Sequence, residues 1–181
     1  LGDVYKRQGS GEVQAVFRNS GLAIWSTSIS GGRSGRAVSI VDDIVTSPVV
    51  DGSSLFVANA SGRISALNLN NGERIWAKPF GTLGNIWPAG DSLFLVNDLS
   101  QLVRMDKYSG DIVWSVQLPS FLKINPRKSK EVVAHFGPIV AGGKVVIASS
   151  DKKIRVFNPV DGSLIDDVTV PSGATSNPVI A

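Results

Sequence analysis

Ala66-Leu67-Asn68-Leu69-Asn70-Asn71-Gly72-Glu73-Arg74-Ile75-Trp76 is the stretch from which the fold of this chain is read. Arg63 to Asn68 alternates apolar and polar positions, the two-residue period of a strand. Leu69 to Gly72 predicts a turn, because Asn and Gly accept the positive φ that tight turns demand. Glu73 to Trp76 opens a second strand that ends in a large aromatic. One such hairpin cannot bury its own indole; several side by side can.

The pattern recurs. Anchored on the turn glycine, the copies are Ala15-Val16-Phe17…Gly21…Ile24-Trp25, Ala66…Gly72…Ile75-Trp76, Arg104-Met105-Asp106…Gly110…Val113-Trp114 and Val156-Phe157-Asn158…Gly162…Ile165-Asp166. The aromatic follows the glycine by four residues in three copies, and Asp166 takes its place in the last. A second marker keeps the same period: Thr46-Ser47-Pro48-Val49-Val50, Ile86-Trp87-Pro88-Ala89, Phe136-Gly137-Pro138-Ile139-Val140 and Ser176-Asn177-Pro178-Val179-Ile180, with prolines 40, 50 and 40 residues apart. Repeats of this length identify arrayed architectures before any other feature does.

Composition narrows the class. The 181 residues are 43% apolar, ample for a core, with 19 Gly and nine Pro punctuating the chain every few residues as in all-β proteins. No apolar run approaches the roughly 18 residues of a membrane helix. The net charge of +3 is scattered rather than gathered on one face, so no nucleic-acid partner is indicated. Cysteine is absent from the sequence, which removes disulfides, thiolate catalysis and cysteine metal sites from it.

Taken in order, Leu1 to Gln8 does not fit the repeat: Lys6 and Arg7 fall where the equivalent strand Leu55-Phe56-Val57-Ala58 is apolar. It lacks the apolar core of a secretion signal. It reads as a non-native, assembly-derived stretch and is set aside. Four blades follow, at about 9–30, 45–80, 85–118 and 133–170, with a fifth beginning at 175–181. Strands are expected near 45–50, 54–58, 63–68 and 74–79, then 85–89, 93–97, 101–106 and 111–117, then 133–140, 144–149, 153–158 and 163–169. Gly31 to Asp43 is a polar linker, and Pro119 to Lys130 a basic insertion. Four antiparallel strands repeated without helices predict an all-β fold of β-propeller blades. Because the repeat opens and closes in mid-blade, the chain reads as about four blades of a longer ring, its middle-to-C-terminal half, which expressed alone would associate through open blade faces.

The run Ala-x-[Asp/Asn]-x-x-x-Gly-x-x-x-Trp resembles the tryptophan-docking repeat of the PQQ-like (quinoprotein-like) propellers. Ala66, Asn68, Gly72 and Trp76 match it fully. Asp106, Gly110 and Trp114 match with Arg104 in place of Ala; Ala15, Gly21 and Trp25 match with Phe17 at the acidic position; Asn158 and Gly162 match without the Trp. Within that superfamily, the order of features is similar to the BamB family of outer-membrane assembly lipoproteins. The similarity rests on Ser10-Gly11 before Ala15-Val16, Asp42-Asp43 leading into Thr46-Ser47-Pro48, Gly62-Arg63-Ile64-Ser65-Ala66-Leu67, and Thr175-Ser176-Asn177-Pro178.

The resemblance implies an eight-bladed ring on the periplasmic side of a Gram-negative outer membrane, held there by a lipidated N-terminal Cys that this chain does not contain. It implies a non-enzymatic scaffold that binds the barrel-assembly protein BamA through propeller loops, with no cofactor, metal, nucleic acid or small-molecule substrate. It also implies that the blade indoles Trp25, Trp76 and Trp114 dock on neighbouring blades, with Ala66 and the turn glycines Gly21, Gly72 and Gly110. The partner contact falls by resemblance on Asp43 and Asp42, and Arg36 joins them on charge alone; an ordinary solvated blade connection is the plain alternative. The other reading is a piece of a PQQ-dependent quinoprotein dehydrogenase. Such enzymes resemble this chain in repeat and add adjacent cysteines, a carboxylate–Asn metal site and an Asp base.

Other candidates are weaker. His135 is the single histidine, without the partners of a triad or metal cluster. Gly9-Ser10-Gly11 lacks the third glycine and following helix of a phosphate loop. Asn59-Ala60-Ser61 fits a glycosylation acceptor but falls in an inter-strand turn, and Asp151-Lys152-Lys153 reads as a solvated tip. Lys123 to Lys130 reads as a soluble loop, with an anionic surface as the other possibility. Trp87 lies outside the repeat position, on a first strand expected to line a central channel.

Overall fold

In a computed structural model of the chain, residues 3–8, 11–29, 47–59, 62–82, 84–121 and 132–178 are described. They form fifteen strands in four sheets. Two compact units emerge: Leu1–Leu83 with Tyr108–Gly110, and Gly84–Lys107 with Asp111–Ala181.

The first unit holds two antiparallel meanders. Strands β1 (Asp3–Gln8), β2 (Glu12–Phe17) and β3 (Ala23–Ser28) make a three-stranded sheet. Strands β4 (Val49–Asp51), β5 (Ser54–Asn59), β6 (Arg63–Asn68) and β7 (Arg74–Lys78) make a four-stranded one in sequence order. The segment set aside in the sequence reading is therefore a strand: β1 pairs with β2 from Asp3↔Phe17 to Gln8↔Glu12. Backbone N–H and C=O groups supply that ladder whatever the side chains, so the missing apolar alternation did not prevent it. β4 is shorter than the apolar run suggested; it starts after Pro48, whose nitrogen has no hydrogen to donate.

The second unit repeats the arrangement twice. Its sheets are β8 (Trp87–Ala89), β9 (Ser92–Val96), β10 (Gln101–Asp106) and β11 (Ile112–Gln117), then β12 (His135–Ala141), β13 (Lys144–Ser149), β14 (Lys153–Phe157) and β15 (Leu164–Thr169). Neighbouring strands are sequential and antiparallel throughout.

The middle strands are the buried ones. Leu55, Val57 and Leu67 join Val13, Ala15, Trp25 and Ile29 in the core of the first unit. Phe94, Leu102, Val145, Ile147 and Phe157 do the same in the second, with Trp87 and Trp114 packed against them. Among the last strands of the sheets, β3 and β11 are mostly exposed, β7 is exposed only at Arg74 and Ile75, and β15 is exposed along its whole length.

All four hairpins share one irregularity. Ala15↔Trp25, Ala66↔Trp76, Arg104↔Trp114 and Val156↔Asp166 are cross-strand partners, and beyond each pair the register jumps by one residue. The extra residues are Ile24, Ile75, Val113 and Ile165, all exposed. Such bulges increase local twist and re-aim the side chains beside them.

Candidate functional site

The turn of the repeat is built from its own side chains. Asn68 Oδ1 accepts from the Asn70 N–H at 2.9 Å, and Asn158 Oδ1 from Val160 N–H at 2.9 Å. The Gly72 and Gly162 N–H groups close the turn on the carbonyls of Asn68 and Asn158, each at 2.9 Å. An Asn side chain bonding two residues ahead is a standard turn device, which gives the polar position of the repeat its reason. Phe17 holds that position in the first copy and keeps only the backbone bond, from Gly21 N–H at 2.8 Å.

Each of three turn glycines then carries an indole. A Cβ on Gly72 would meet Trp25 Cδ2 at 2.6 Å; on Gly110, Trp76 Cδ2 and Cε3 at 2.7 Å; on Gly162, Trp114 Cε3 at 2.8 Å. In every case the ring comes from the preceding copy of the repeat. A Cβ on Gly21 would meet nothing among the described residues within 4 Å. The indole N–H groups are also placed: Trp25 donates to the Leu69 carbonyl at 3.0 Å and Trp114 to the Pro159 carbonyl at 3.1 Å, the two residues that follow Asn68 and Asn158. Thr27 adds a hydroxyl donation to the Gly72 carbonyl at 2.6 Å, and Arg74 donates to the Ser28 carbonyl at 2.7 Å. Ala66 lies opposite Trp76, whose ring centroid is 6.1 Å from that of Phe56.

Arg104, a mismatch by sequence, has a role. Its Nε donates to Ser92 Oγ at 2.9 Å and its Nη1 to the carbonyls of Pro159 and Val160 at 3.0 and 3.2 Å. A long cation at the alanine position thus reaches the same turn that Trp114 covers.

One polar reading needs correction. Asp151 is not a solvated tip: its carboxylate pairs with Arg155, and the two side chains are only 12% and 9% exposed. Asn59 is fully buried, with its Nδ2 donating to the Ile29 carbonyl at 3.2 Å and its Oδ1 accepting from Arg63 N–H at 2.8 Å, so it offers no nitrogen for glycosylation. Arg36, Asp42 and Asp43 lie outside the described residues, as do Lys123 to Lys130.

The sequence missed a chain of polar groups around the buried Ser149 and Arg155 in the second unit. His135 Nδ1 lies 2.8 Å from Ser149 Oγ, and Nε2 lies 3.0 Å from the Pro119 carbonyl. Arg155 Nη1 donates to the same Ser149 Oγ at 3.0 Å. Nothing in the residue spacing announces this cluster; it exists only once β12, β13 and β14 are paired. The pairing of Ser149 with His135 does not make a nucleophile, because Ser149 is fully buried.

Among the described residues no group of three or more His, Cys, Asp or Glu side chains is placed to hold a metal ion, and the sequence has no adjacent cysteines.

A sequence model of the family described as outer membrane protein assembly factor BamB matches residues 2–116, more than half of the chain. The chain belongs to the BamB family. The BamB of Shewanella oneidensis is 26% identical over 171 residues, which cover 94% of this chain and 40% of that protein. The chain therefore spans about two fifths of the length of such a relative. Among solved structures, BamB from Moraxella catarrhalis superposes with a TM-score of 0.73 at 14% identity, covering 97% of this chain and 51% of that one. The quinohemoprotein alcohol dehydrogenase ADHIIG from Pseudomonas putida HK5 also gives 0.73, at 13% identity, over 93% of this chain and 32% of that one. At such identities both likenesses speak to the fold alone: an all-β propeller of four-stranded antiparallel blades.

Proposed function

We propose that this chain is part of a non-enzymatic scaffold for outer-membrane β-barrel assembly, facing the periplasm and holding a BamA-like partner through propeller loops. The observation that carries the reading is membership of the BamB family over residues 2–116. The dehydrogenase alternative draws only on fold, which the two kinds of protein share. The chemistry required of a scaffold is positioning: rigid sheets present loops whose side chains meet the partner without covalent change. Regular turns occupied by Gly–indole seats are committed to architecture, so contact falls to irregular connections. The segment from Gly31 to Asp43, with Arg36, Asp42 and Asp43, is the proposed contact.

The test is co-purification of the full-length protein with a BamA-like protein from the same source. Binding is expected, and charge reversal at Arg36, Asp42 and Asp43 together is expected to weaken it at least tenfold while the circular dichroism spectrum is unchanged. Unchanged binding by the folded triple variant would move the contact elsewhere. Absence of binding by the unaltered protein, with dye-linked alcohol oxidation in the presence of PQQ and calcium, would overturn the scaffold itself.

A further inference from the structure

Three of the repeat's turn glycines are covered and one is open. Gly72, Gly110 and Gly162 are buried, whereas Gly21 is exposed, although its φ of 69° matches their 71°, 72° and 75°. Gly21 N–H closes its turn on the Phe17 carbonyl, as Gly72 and Gly162 do on Asn68 and Asn158. The seat is formed, and no ring among the described residues fills it.

The complementary surface lies on the sheet β12–β15. Asp166 stands opposite Val156, as the repeat's tryptophans stand opposite their own partners, and it is exposed. Val146 pairs with Val156 and Ile154 with Val168, so these four side chains share one face with Asp166. The equivalents of Val146, Val156 and Ile154 in the sheet β4–β7 are Phe56, Ala66 and Ile64, all 1% exposed or less. Here the three are only half-buried, and Val168 is 46% exposed. An apolar face that is covered in one copy of the repeat is open in another.

Charge selects the occupant. Within the chain, a ring at this position meets the residue after the turn's polar position: Trp25 donates to the Leu69 carbonyl and Trp114 to that of Pro159. A carboxylate accepts and cannot donate, so Asp166 needs a donor where an indole needs a carbonyl. At the open turn the corresponding residue is Arg18, and it is exposed. We propose that the sheet face carrying Asp166 docks on the Phe17–Gly21 turn of a second copy of this chain, with Asp166 facing Arg18. The contact joins unlike surfaces, so it is made head to tail. Glu12 and Gln14 alternate with the core residues Val13 and Ala15, which puts them on the β2 face away from that core. They make the contact more polar than the seats within the chain, and its formation reversible.

The test is sedimentation velocity of the 181-residue chain from about 1 μM to about 100 μM. Its mass is expected to rise with concentration, as closed dimers or as longer head-to-tail chains. Association is also expected to weaken as salt rises from about 0.05 M to about 0.5 M. Arg18→Asp and Asp166→Arg are each expected to weaken it about tenfold or more, with unchanged circular dichroism spectra. Mixing the two variants in equal amounts is expected to restore it, because each then meets opposite charge at both of its contacts. An unaltered chain that stays a single copy throughout, or one whose association ignores salt, overturns the proposal without any variant. Loss in Asp166→Arg alone, with Arg18→Asp silent, would mean symmetric pairing of two Asp166 faces and overturns it too. So does failure of the mixed variants to associate.

Discussion

Arg104 and Trp114 stand opposite each other on β10 and β11, and both donate to the carbonyl of Pro159, at 3.0 and 3.1 Å. The carbonyl has two lone pairs and both are used. Arg104→Ala restores the small residue seen at this position in other copies, yet it removes donors from Pro159, Val160 and Ser92. The expected loss is about 1.5–3 kcal/mol, as for hydrogen bonds to a charged group. Trp114→Phe removes one donor and should cost about 1 kcal/mol. A double-mutant cycle measured by urea denaturation is expected to show coupling between them; strict additivity would mean that the shared acceptor does not matter.

Gly162 and Gly21 have nearly the same backbone, with φ of 75° and 69°, but only Gly162 lies under an indole. Alanine at either position costs about 1–2 kcal/mol for the left-handed conformation. At Gly162 the new methyl would also press on Trp114 Cε3 at 2.8 Å and Val116 Cγ2 at 2.9 Å. Gly162→Ala should therefore lose about 1–3 kcal/mol more than Gly21→Ala through overpacking. Equal losses in thermal or urea melts would show that the glycine is needed for its φ alone.

Trp25→Ala empties the seat on Gly72 and leaves the Leu69 carbonyl without its indole donor. A buried large-to-small change of this kind costs about 3–5 kcal/mol. Trp76→Ala should behave alike. Unfolding followed by far-ultraviolet circular dichroism, which does not depend on the deleted fluorophore, reads the difference.

Ser65 Oγ is buried on β6 without a hydrogen-bond partner among the described residues. Removing an unsatisfied buried hydroxyl relieves a desolvation cost, so Ser65→Ala is expected to be neutral or to stabilise by up to about 1 kcal/mol. A loss above that range would reveal a partner for the hydroxyl.

The Asp151–Arg155 pair predicts the opposite outcome. Asp151→Ala leaves Arg155 charged and largely enclosed, and breaking a buried pair from one side costs about 3–5 kcal/mol. Replacing both together, as Asp151→Ala with Arg155→Met, should recover much of that loss. Failure to recover would assign the effect to Ser149 and the groups beyond it.

What could be read from the chain was whatever the backbone imposes locally. The turn from Asn68 to Gly72 needs a positive φ at its glycine, so Gly21, Gly72, Gly110 and Gly162 left a mark in every copy, and strand order followed from the repeat. Arg104 looked like a defect because the carbonyls it reaches, those of Pro159 and Val160, are 55 and 56 positions away in sequence. Asp151 looked solvated for a related reason: the arginine that encloses it is visible four residues on, but its burial is not. β1 was invisible because its ladder uses groups that every residue has. The proposed contact at Arg36, Asp42 and Asp43 rests on resemblance and charge, since no local rule marks a surface that meets another protein.

The register jump beside each cross-strand pair has a consequence for how the repeat can change. Each extra residue is absorbed in its bulge, so the pairing on both sides of it keeps the aromatic opposite the same partner. Ile24, Ile75, Val113 and Ile165 are exposed, and each is free to vary in kind. Losing Ile75 alone would keep Trp76 opposite Ala66 but erase the bulge, and with it the local twist that aims the indole.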